Sequence, residues 1–156
     1  MVNASPIILL SKVGLVDLLQ HLGVPIVIPR ATVNEILRRG TADPAVQALA
    51  RSPWLVTVDV GRIPAPVTNL KSGNSESAVL AYALAHSGSG VILDDRAART
   101  AAASLGLPYQ GTLGLILWGK RQGFLRAARP VIEQLRQHGM FLSDKLMNQA
   151  LAQVGE

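Results

Sequence analysis

Short apolar runs of strand length alternate along this 156-residue chain with longer amphipathic runs of helix length. Such alternation is typical of successive β-α units, because parallel strands are joined through long crossover connections that are usually helical. It predicts an α/β domain with a mostly parallel sheet. About five short strands are expected, over residues 2–4, 26–28, 55–58, 91–93 and 108–109.

Helical patterns fill the intervals between these strands. The first covers about residues 7–21, with a kink or break at Gly14, and Thr32 stands where the N-cap of the next helix is expected. Asp43 followed by Pro44 predicts a capped helix start. Further helices are expected over 75–86, 95–105, 112–123, 128–138 and 143–153.

The chain length and the 49% hydrophobic content are sufficient for one domain with an ordinary core. The longest irregular stretch, 60–72, contains Pro64 and Pro66 and predicts a mobile loop, not a linker between domains. We therefore expect residues 1–156 to form a single domain.

The composition excludes several classes of chemistry. The chain contains no Cys, which excludes disulfides, thiolate zinc sites and a Cys nucleophile and fits a reducing compartment. The N-terminal segment lacks the basic stretch of a secretory signal, and no apolar run reaches the roughly 20 residues of a membrane span. We expect a soluble cytoplasmic protein whose positive mean hydropathy reflects a large core or a subunit interface.

The charge balance favours polyanionic partners without identifying one. Fifteen Lys and Arg against ten Asp and Glu give a net charge of +5, and Arg is the commoner cation. Guanidinium groups pair with phosphates in a bidentate manner, so RNA is one partner that this balance allows.

An acidic pair, Asp94 and Asp95, directly follows the apolar run at 91–93. The carboxyl ends of parallel strands are where open α/β sheets build their ligand sites. Asp95 is also well placed as the N-cap of the next helix, which is the simpler interpretation for that residue. Asp94 has no such role, and a carboxylate there needs a cation or hydrogen bonds, so a metal is a candidate partner.

Two glutamates are further candidates. Glu76 lies in the first turn of its helix on the face of Val79 and Leu80, so it is expected to point toward the sheet, although a capping role behind Gly73 explains it equally well. Glu35 has Arg39 four residues later, and an exposed ion-paired helix face is an alternative for it.

Other polar residues give weaker signals. The three His residues stand apart at expected helix ends and lack metal-ligand spacing, and the HSGSG run lacks the Lys of a phosphate-binding loop. Ser5 has no evident His and Asp partners, so a serine triad has no support.

The order of four segments resembles the PIN-domain family. They are VNASPIILLSKVGLVDLL, VIPRATVNEIL, GNSESAVLAYALAHSGSGVILDDRAAR and GTLGLILWGKRQGFL. The resemblance extends over about residues 2–150, and it is closest to a poorly characterised branch of small prokaryotic proteins related to VapC-type toxins. It implies a three-layer α/β/α fold with acids converging at the strand ends to bind Mg²⁺ or Mn²⁺.

Carried over by position, the resemblance places the four acidic sites at Asn3, Glu35, Glu76 and Asp94, with Asp95 adjacent. It implies Glu35, Glu76 and Asp94 as catalytic residues, and Asn3, Glu76, Asp94 and Asp95 as the metal set. Asn3 departs from the pattern because an amide offers an oxygen but no negative charge.

The implied reaction is hydrolysis of RNA phosphodiester bonds by an endoribonuclease, with a possible toxin role restrained by a small antitoxin protein. Arg96 and Arg99, close to the acids, are candidates for binding backbone phosphates. Ser5 and Thr112 are expected to line the same pocket.

Two alternatives remain open. Asn3 favours a PIN-like scaffold that has lost turnover and binds RNA or a protein partner. The high aliphatic content also suits a structural homodimer or higher oligomer without an active site.

Overall fold

The structure is a computed structural model that describes residues 1–69 and 73–156. Its strands are β1 (Ile26–Pro29), β2 (Leu55–Val58), β3 (Val91–Ile92) and β4 (Tyr109–Gln110). Its helices are α1 (Ala4–Lys12), a 3-10 helix (Val16–Leu22), α2 (Arg30–Leu37), α3 (Pro44–Arg51), α4 (Ala65–Thr68), α5 (Asn74–Ala85), α6 (Arg96–Ser104), α7 (Thr112–Arg121), α8 (Arg129–Gln137) and α9 (Asp144–Ala152).

The strands form two parallel pairs on either side of the N-terminal segment. β1 pairs with β2, and β3 pairs with β4. Between them, the N–H of Val2 donates to the carbonyl of Val27 at 3.0 Å, and the N–H of Asn3 donates to the carbonyl of Ile92 at 3.1 Å. The parallel direction predicted from the sequence is therefore confirmed.

The predicted five-strand sheet, however, is wrong. Within the described ranges there are two two-stranded sheets, and the expected strand at 2–4 is reduced to a single bridge between Val2 and Ile92. The reason is that α1 begins at Ala4, directly after the extended N-cap residue Asn3. Too few residues remain before the helix to form a ladder.

Local signals predicted most helix ends correctly. The first helical stretch breaks near Gly14, whose φ of 69° suits Gly, and the Asp43 carboxylate accepts from the Ala45 N–H at 2.8 Å. The prediction for Thr32 is wrong, because α2 begins at Arg30 and leaves Thr32 buried inside the helix. The predicted irregular stretch 60–72 contains α4, and its last three residues lie outside the described part of the chain.

Strand β3 is buried on both faces, as the core residues show. Ile92 belongs to the larger apolar cluster, to which α1, the 3-10 helix, α7, α8 and α9 contribute, whereas Val91 and Leu93 belong to a smaller cluster with α5 and α6. Successive side chains of a strand point to opposite faces, so helices cover both sides of the sheet here.

No single helix in residues 1–69 and 73–156 is long and apolar enough to cross a membrane. Helix α1 and the 3-10 helix reach that length and apolar content only when taken together, and the chain bends by 119° between them.

The last residue, Glu156, ties the C-terminal segment to the start of α8. Its carboxylate accepts hydrogen bonds from the N–H groups of Ala128 at 2.7 Å and Arg129 at 2.9 Å, and Lys120 lies 3.5 Å away. The two backbone N–H groups, helped by Lys120, lower the pKa of Glu156 below its ordinary value. The carboxylate therefore serves as the N-terminal cap of α8 from a distant part of the chain.

We expect Glu156→Gln to lower the melting temperature at neutral pH, with a difference from the wild type that narrows in acid. A carboxyl group with a lowered pKa stabilises the fold above its unfolded pKa, and this contribution is lost as the pH falls through the folded pKa. Calorimetric melting of both proteins between neutral and acidic pH measures the effect, with Glu133→Gln on exposed α8 surface as the control. A difference independent of pH would contradict this assignment.

Candidate active site

Polar residues meet where the parallel strands end. Asn3 follows the N-terminal bridge, Asp94 comes two residues after β3, and Thr112 comes two residues after β4. Because these segments run side by side in the same direction, all three residues lie at one carboxyl edge. This edge is where the sequence predicted a site.

Asp94 is fixed in place by Thr112. The Thr112 N–H donates to Asp94 Oδ1 at 2.7 Å, and the Thr112 hydroxyl donates to Oδ2 at 2.6 Å. Thr112 is fully buried and is the first residue of α7, so the carboxylate lies at a helix N-terminus, where negative charge is favoured. Both Asp94 oxygens thus have a set orientation, and Thr112 contacts the site directly.

Asp95 performs the capping role that its position predicted. Its Oδ1 accepts from the Ala98 N–H at 2.8 Å at the start of α6. The neighbouring acids therefore differ in what holds them: Asp95 is committed to its own helix, and Asp94 is held by a residue 18 positions away.

A second group of polar side chains surrounds Asn3, which is 2% exposed. Asn3 Nδ2 donates to Glu76 Oε1 at 3.0 Å, while its Oδ1 accepts from the Ser75 hydroxyl. The Ser75 hydroxyl in turn lies 2.7 Å from the Thr32 hydroxyl. This network joins the N-terminal segment to α2 and α5.

The network determines the orientation of Glu76. Its Oε1 faces Asn3, and its Oε2 lies so close to Gly73 that a Cβ there would be 2.5 Å from it. Glu76 therefore points toward the strand edge, as its helical face predicted, while remaining beside the residue at the N-cap of α5.

Glu35 stands apart from these groups. Glu35 is exposed, which agrees with the alternative of an ion-paired helix face. Its expected partner Arg39, however, pairs with Asp43 at 2.8 Å, and Glu35 forms no ion pair within the described residues. In residues 1–69 and 73–156, no three His, Asp or Glu side chains are grouped so as to hold a metal ion. Of the predicted acids, only Asp94 and Asp95 are neighbours, Glu76 contacts Asn3, and Glu35 stands apart, so they do not form a compact cluster.

A cavity of about 550 Å³ opens beside the acidic pair. Four predicted site residues line it, namely Ser5, Asp94, Asp95 and Arg99. Arg96, exposed on the same helix, does not, and neither do Asn3, Glu76 and Thr112, although Thr112 contacts Asp94. Another cavity, of about 540 Å³, lies at the amino ends of the strands and contains none of the predicted acids. Of these two cavities, only the first is lined by the acidic pair, and Glu76 lines neither.

Gly111 lets Asp94 and Arg99 approach the same stretch of backbone. A Cβ on Gly111 would lie 3.2 Å from Asp94 Oδ1 and 3.5 Å from Arg99 Nη1. Arg99 forms no ion pair in the part of the chain that the structure describes, so its guanidinium is available to an anion in the cavity.

Sequence reasoning missed Ser75 and misassigned Thr32. Ser75 directly precedes Glu76, and Thr32 lies on the same helix as Glu35. Both have small hydroxyl side chains, and their role is evident only from their burial in the structure. It also missed three residues that line the cavity, namely Tyr109, Gln110 and Phe141.

Comparison with known proteins identifies the family. The family model that matches this chain is described as a PIN domain, and the match covers residues 1–156. The chain therefore belongs to the PIN-domain family, whose fold is in general that of a nuclease. No curated protein and no solved structure matches the chain significantly.

Proposed function

We propose that this protein is a divalent-metal-dependent endoribonuclease. The observation that carries the proposal is the placement of Asp94: an oriented carboxylate at the carboxyl edge of a PIN-domain fold, lining a cavity that also contains an unpaired Arg99. A basic chain with such a cavity suits a phosphodiester substrate.

The side chains at this edge suit a hard cation. Asp94 and Glu76 offer carboxylate oxygens, which Mg²⁺ or Mn²⁺ favours, whereas Asn3 turns its amide nitrogen to Glu76 and its oxygen to Ser75. Mg²⁺ commonly uses one or two carboxylates and retains several waters, so a compact three-acid cluster is not required. When bound, the metal would activate a water and neutralise charge on the phosphoryl oxygen.

The chain's own residues have separable tasks in this proposal. Asp94 is the principal metal ligand, and Thr112 holds its orientation. Glu76, held by the Asn3 amide, is the second carboxylate and the residue that would orient the attacking water. Arg99 would bind the phosphate, with Arg96 farther out and Glu35 at the periphery.

The direct test is cleavage of a mixed pool of single-stranded RNA by the purified protein. We expect cutting in Mn²⁺ or Mg²⁺ and none in chelator. An absence of cutting in either metal, together with no Mn²⁺ binding by calorimetry, would refute the proposal.

Thr112 is expected to act on cleavage through Asp94. Thr112→Val keeps the size of the side chain but removes the hydroxyl donor to Asp94 Oδ2, so we expect the cleavage rate to fall about tenfold or more. Thr112→Ser retains the donor and should restore most of the rate. Single-turnover rates against Mn²⁺ concentration measure both variants, and equal rates for Val and Ser would contradict this role.

The alternative proposal is a scaffold without turnover that binds RNA or a protein partner. One observation favours it: where the family resemblance places an acid, Asn3 directs its amide nitrogen to Glu76. This arrangement neutralises no metal charge and occupies one Glu76 oxygen. RNA binding without cleavage in any metal would support the scaffold.

A toxin role with a small antitoxin partner extends the nuclease proposal and rests on the resemblance to VapC-type proteins. Growth arrest on expression, relieved by a protein encoded beside this chain, would support it. Harmless expression of an active nuclease would contradict it.

A further inference from the structure

The cavity that contains Asp94 extends to a fully exposed aromatic ring. Phe141 lies in the loop between α8 and α9, lines the cavity and is 99% exposed. Its neighbours are anchored, because Leu142 belongs to the core and Met140 packs against it. The loop therefore presents the ring to solvent from a fixed backbone.

An uncommitted amide lies in the same cavity. Gln110, the last residue of β4, is half-buried, and a Cβ on Gly114 would be 3.1 Å from its Nε2, so the amide rests against the first turn of α7. Within residues 1–69 and 73–156 the Gln110 side chain makes no hydrogen bond. It offers both a donor and an acceptor to a molecule in the cavity.

We propose that Phe141 and Gln110 form a subsite for an unpaired nucleobase next to the phosphate that is cut. This inference rests on the proposed nuclease function and specifies which residues would hold a base of its RNA substrate. Proteins hold unpaired bases by stacking on aromatic rings and by hydrogen bonds to the base edges. Here the ring and the amide share one cavity with Arg99 for the phosphate and Asp94 for the metal.

The arrangement favours a nucleotide over an apolar protein segment. The cavity is lined by Asp94, Asp95 and Arg99, which an apolar peptide would have to desolvate. A nucleotide, by contrast, has a phosphate that can pair with the Arg99 guanidinium and a flat base that can stack on the ring of Phe141. A base within a duplex is stacked on its neighbours, so the subsite suits an unpaired base.

The subsite is tested by binding in chelator, where no cutting occurs. A short fluorescein-labelled oligoadenylate and an abasic ribose-phosphate oligomer of equal length are compared by anisotropy. We expect the wild type to prefer the oligoadenylate, and Phe141→Ala to weaken oligoadenylate binding about tenfold without changing abasic binding. Phe141→Trp should restore the preference.

Phe124→Ala is the matched control, since Phe124 is also exposed but stacks on His21 and does not line this cavity. It should leave both affinities unchanged. Equal binding of the two oligomers by the wild type, or no binding of either, would overturn the subsite. The subsite would also be overturned if Phe141→Ala left RNA binding unchanged but converted a dimer into a monomer.

The proposed function is judged separately, by cleavage in Mn²⁺. If RNA were cut in Mn²⁺ equally well by the wild type and by Phe141→Ala, whatever its bases, only the subsite would be overturned. Base-selective binding that depends on Phe141, with no cutting in any metal and no Mn²⁺ binding, would support the base subsite and refute the nuclease in favour of the scaffold.

Discussion

Asp94→Asn is expected to reduce RNA cleavage in Mn²⁺ by at least about a thousandfold. Asparagine keeps the shape of the side chain but removes its negative charge and one of the two oxygens that Thr112 holds. The proposed metal would therefore lose its principal ligand. Single-turnover rates on a labelled single-stranded RNA measure the loss.

Two further variants make this result specific. Asp59→Asn alters an exposed acid paired with Arg30 and is expected to cut at the wild-type rate. Asp95→Asn should lose much less than Asp94→Asn, because asparagine is also a good N-cap. If Asp94→Asn retained most of the activity in a folded protein, Asp94 would not be the metal ligand.

Asn3→Asp is expected to destabilise the metal-free protein and to make its stability depend on Mn²⁺. The change replaces the amide donor with a carboxylate facing Glu76 Oε1, where the present separation from Asn3 Nδ2 is 3.0 Å. Two carboxylates at this distance repel, at a cost of about 2 kcal/mol. For a chain of this size, the melting temperature should fall by about 4–8 °C in chelator.

Mn²⁺ should then raise the melting temperature of Asn3→Asp more than that of the wild type, because a cation between the two carboxylates offsets their repulsion. Asn34→Asp, on exposed α2 surface, is the control and should respond like the wild type. If Mn²⁺ raised the melting temperatures of Asn3→Asp and of the wild type equally, positions 3 and 76 would not face a metal. Cleavage that appears only in Asn3→Asp would establish the scaffold alternative.

Features determined by neighbouring residues were predictable from the sequence. Asp43 and Asp95 are N-caps because each is followed directly by its own helix, and the break near Gly14 follows from its positive φ. The place of Asp94 beyond a strand end was predictable, since the apolar run before it defines the strand and the next residue supplies the cap.

Features determined by distant pairing were not predictable. Asn3 and Ser75 are 72 positions apart, and Thr32 and Ser75 are 43 apart, so no local pattern encodes their contacts. The error at Thr32 has a local cause instead, because Pro29 is the N-cap residue and α2 begins at Arg30.

The five-strand prediction failed for a related reason. Residues 2–4 were predicted to form a strand, but the start of α1 at Ala4 leaves only a bridge at Val2. The exposed ring of Phe141 was equally hidden, because sequence alone does not show that Met140 and Leu142 pack inward while the residue between them remains in solvent.

Anomalous diffraction from a crystal soaked in Mn²⁺ would show directly whether Asp94 binds a metal ion. We expect a peak at the carboxyl edge of the strands, with an Asp94 oxygen at a coordination distance of about 2.0–2.2 Å. A peak elsewhere with Asp94 still bound only to Thr112, or no peak in a crystal that contains Mn²⁺, would contradict it.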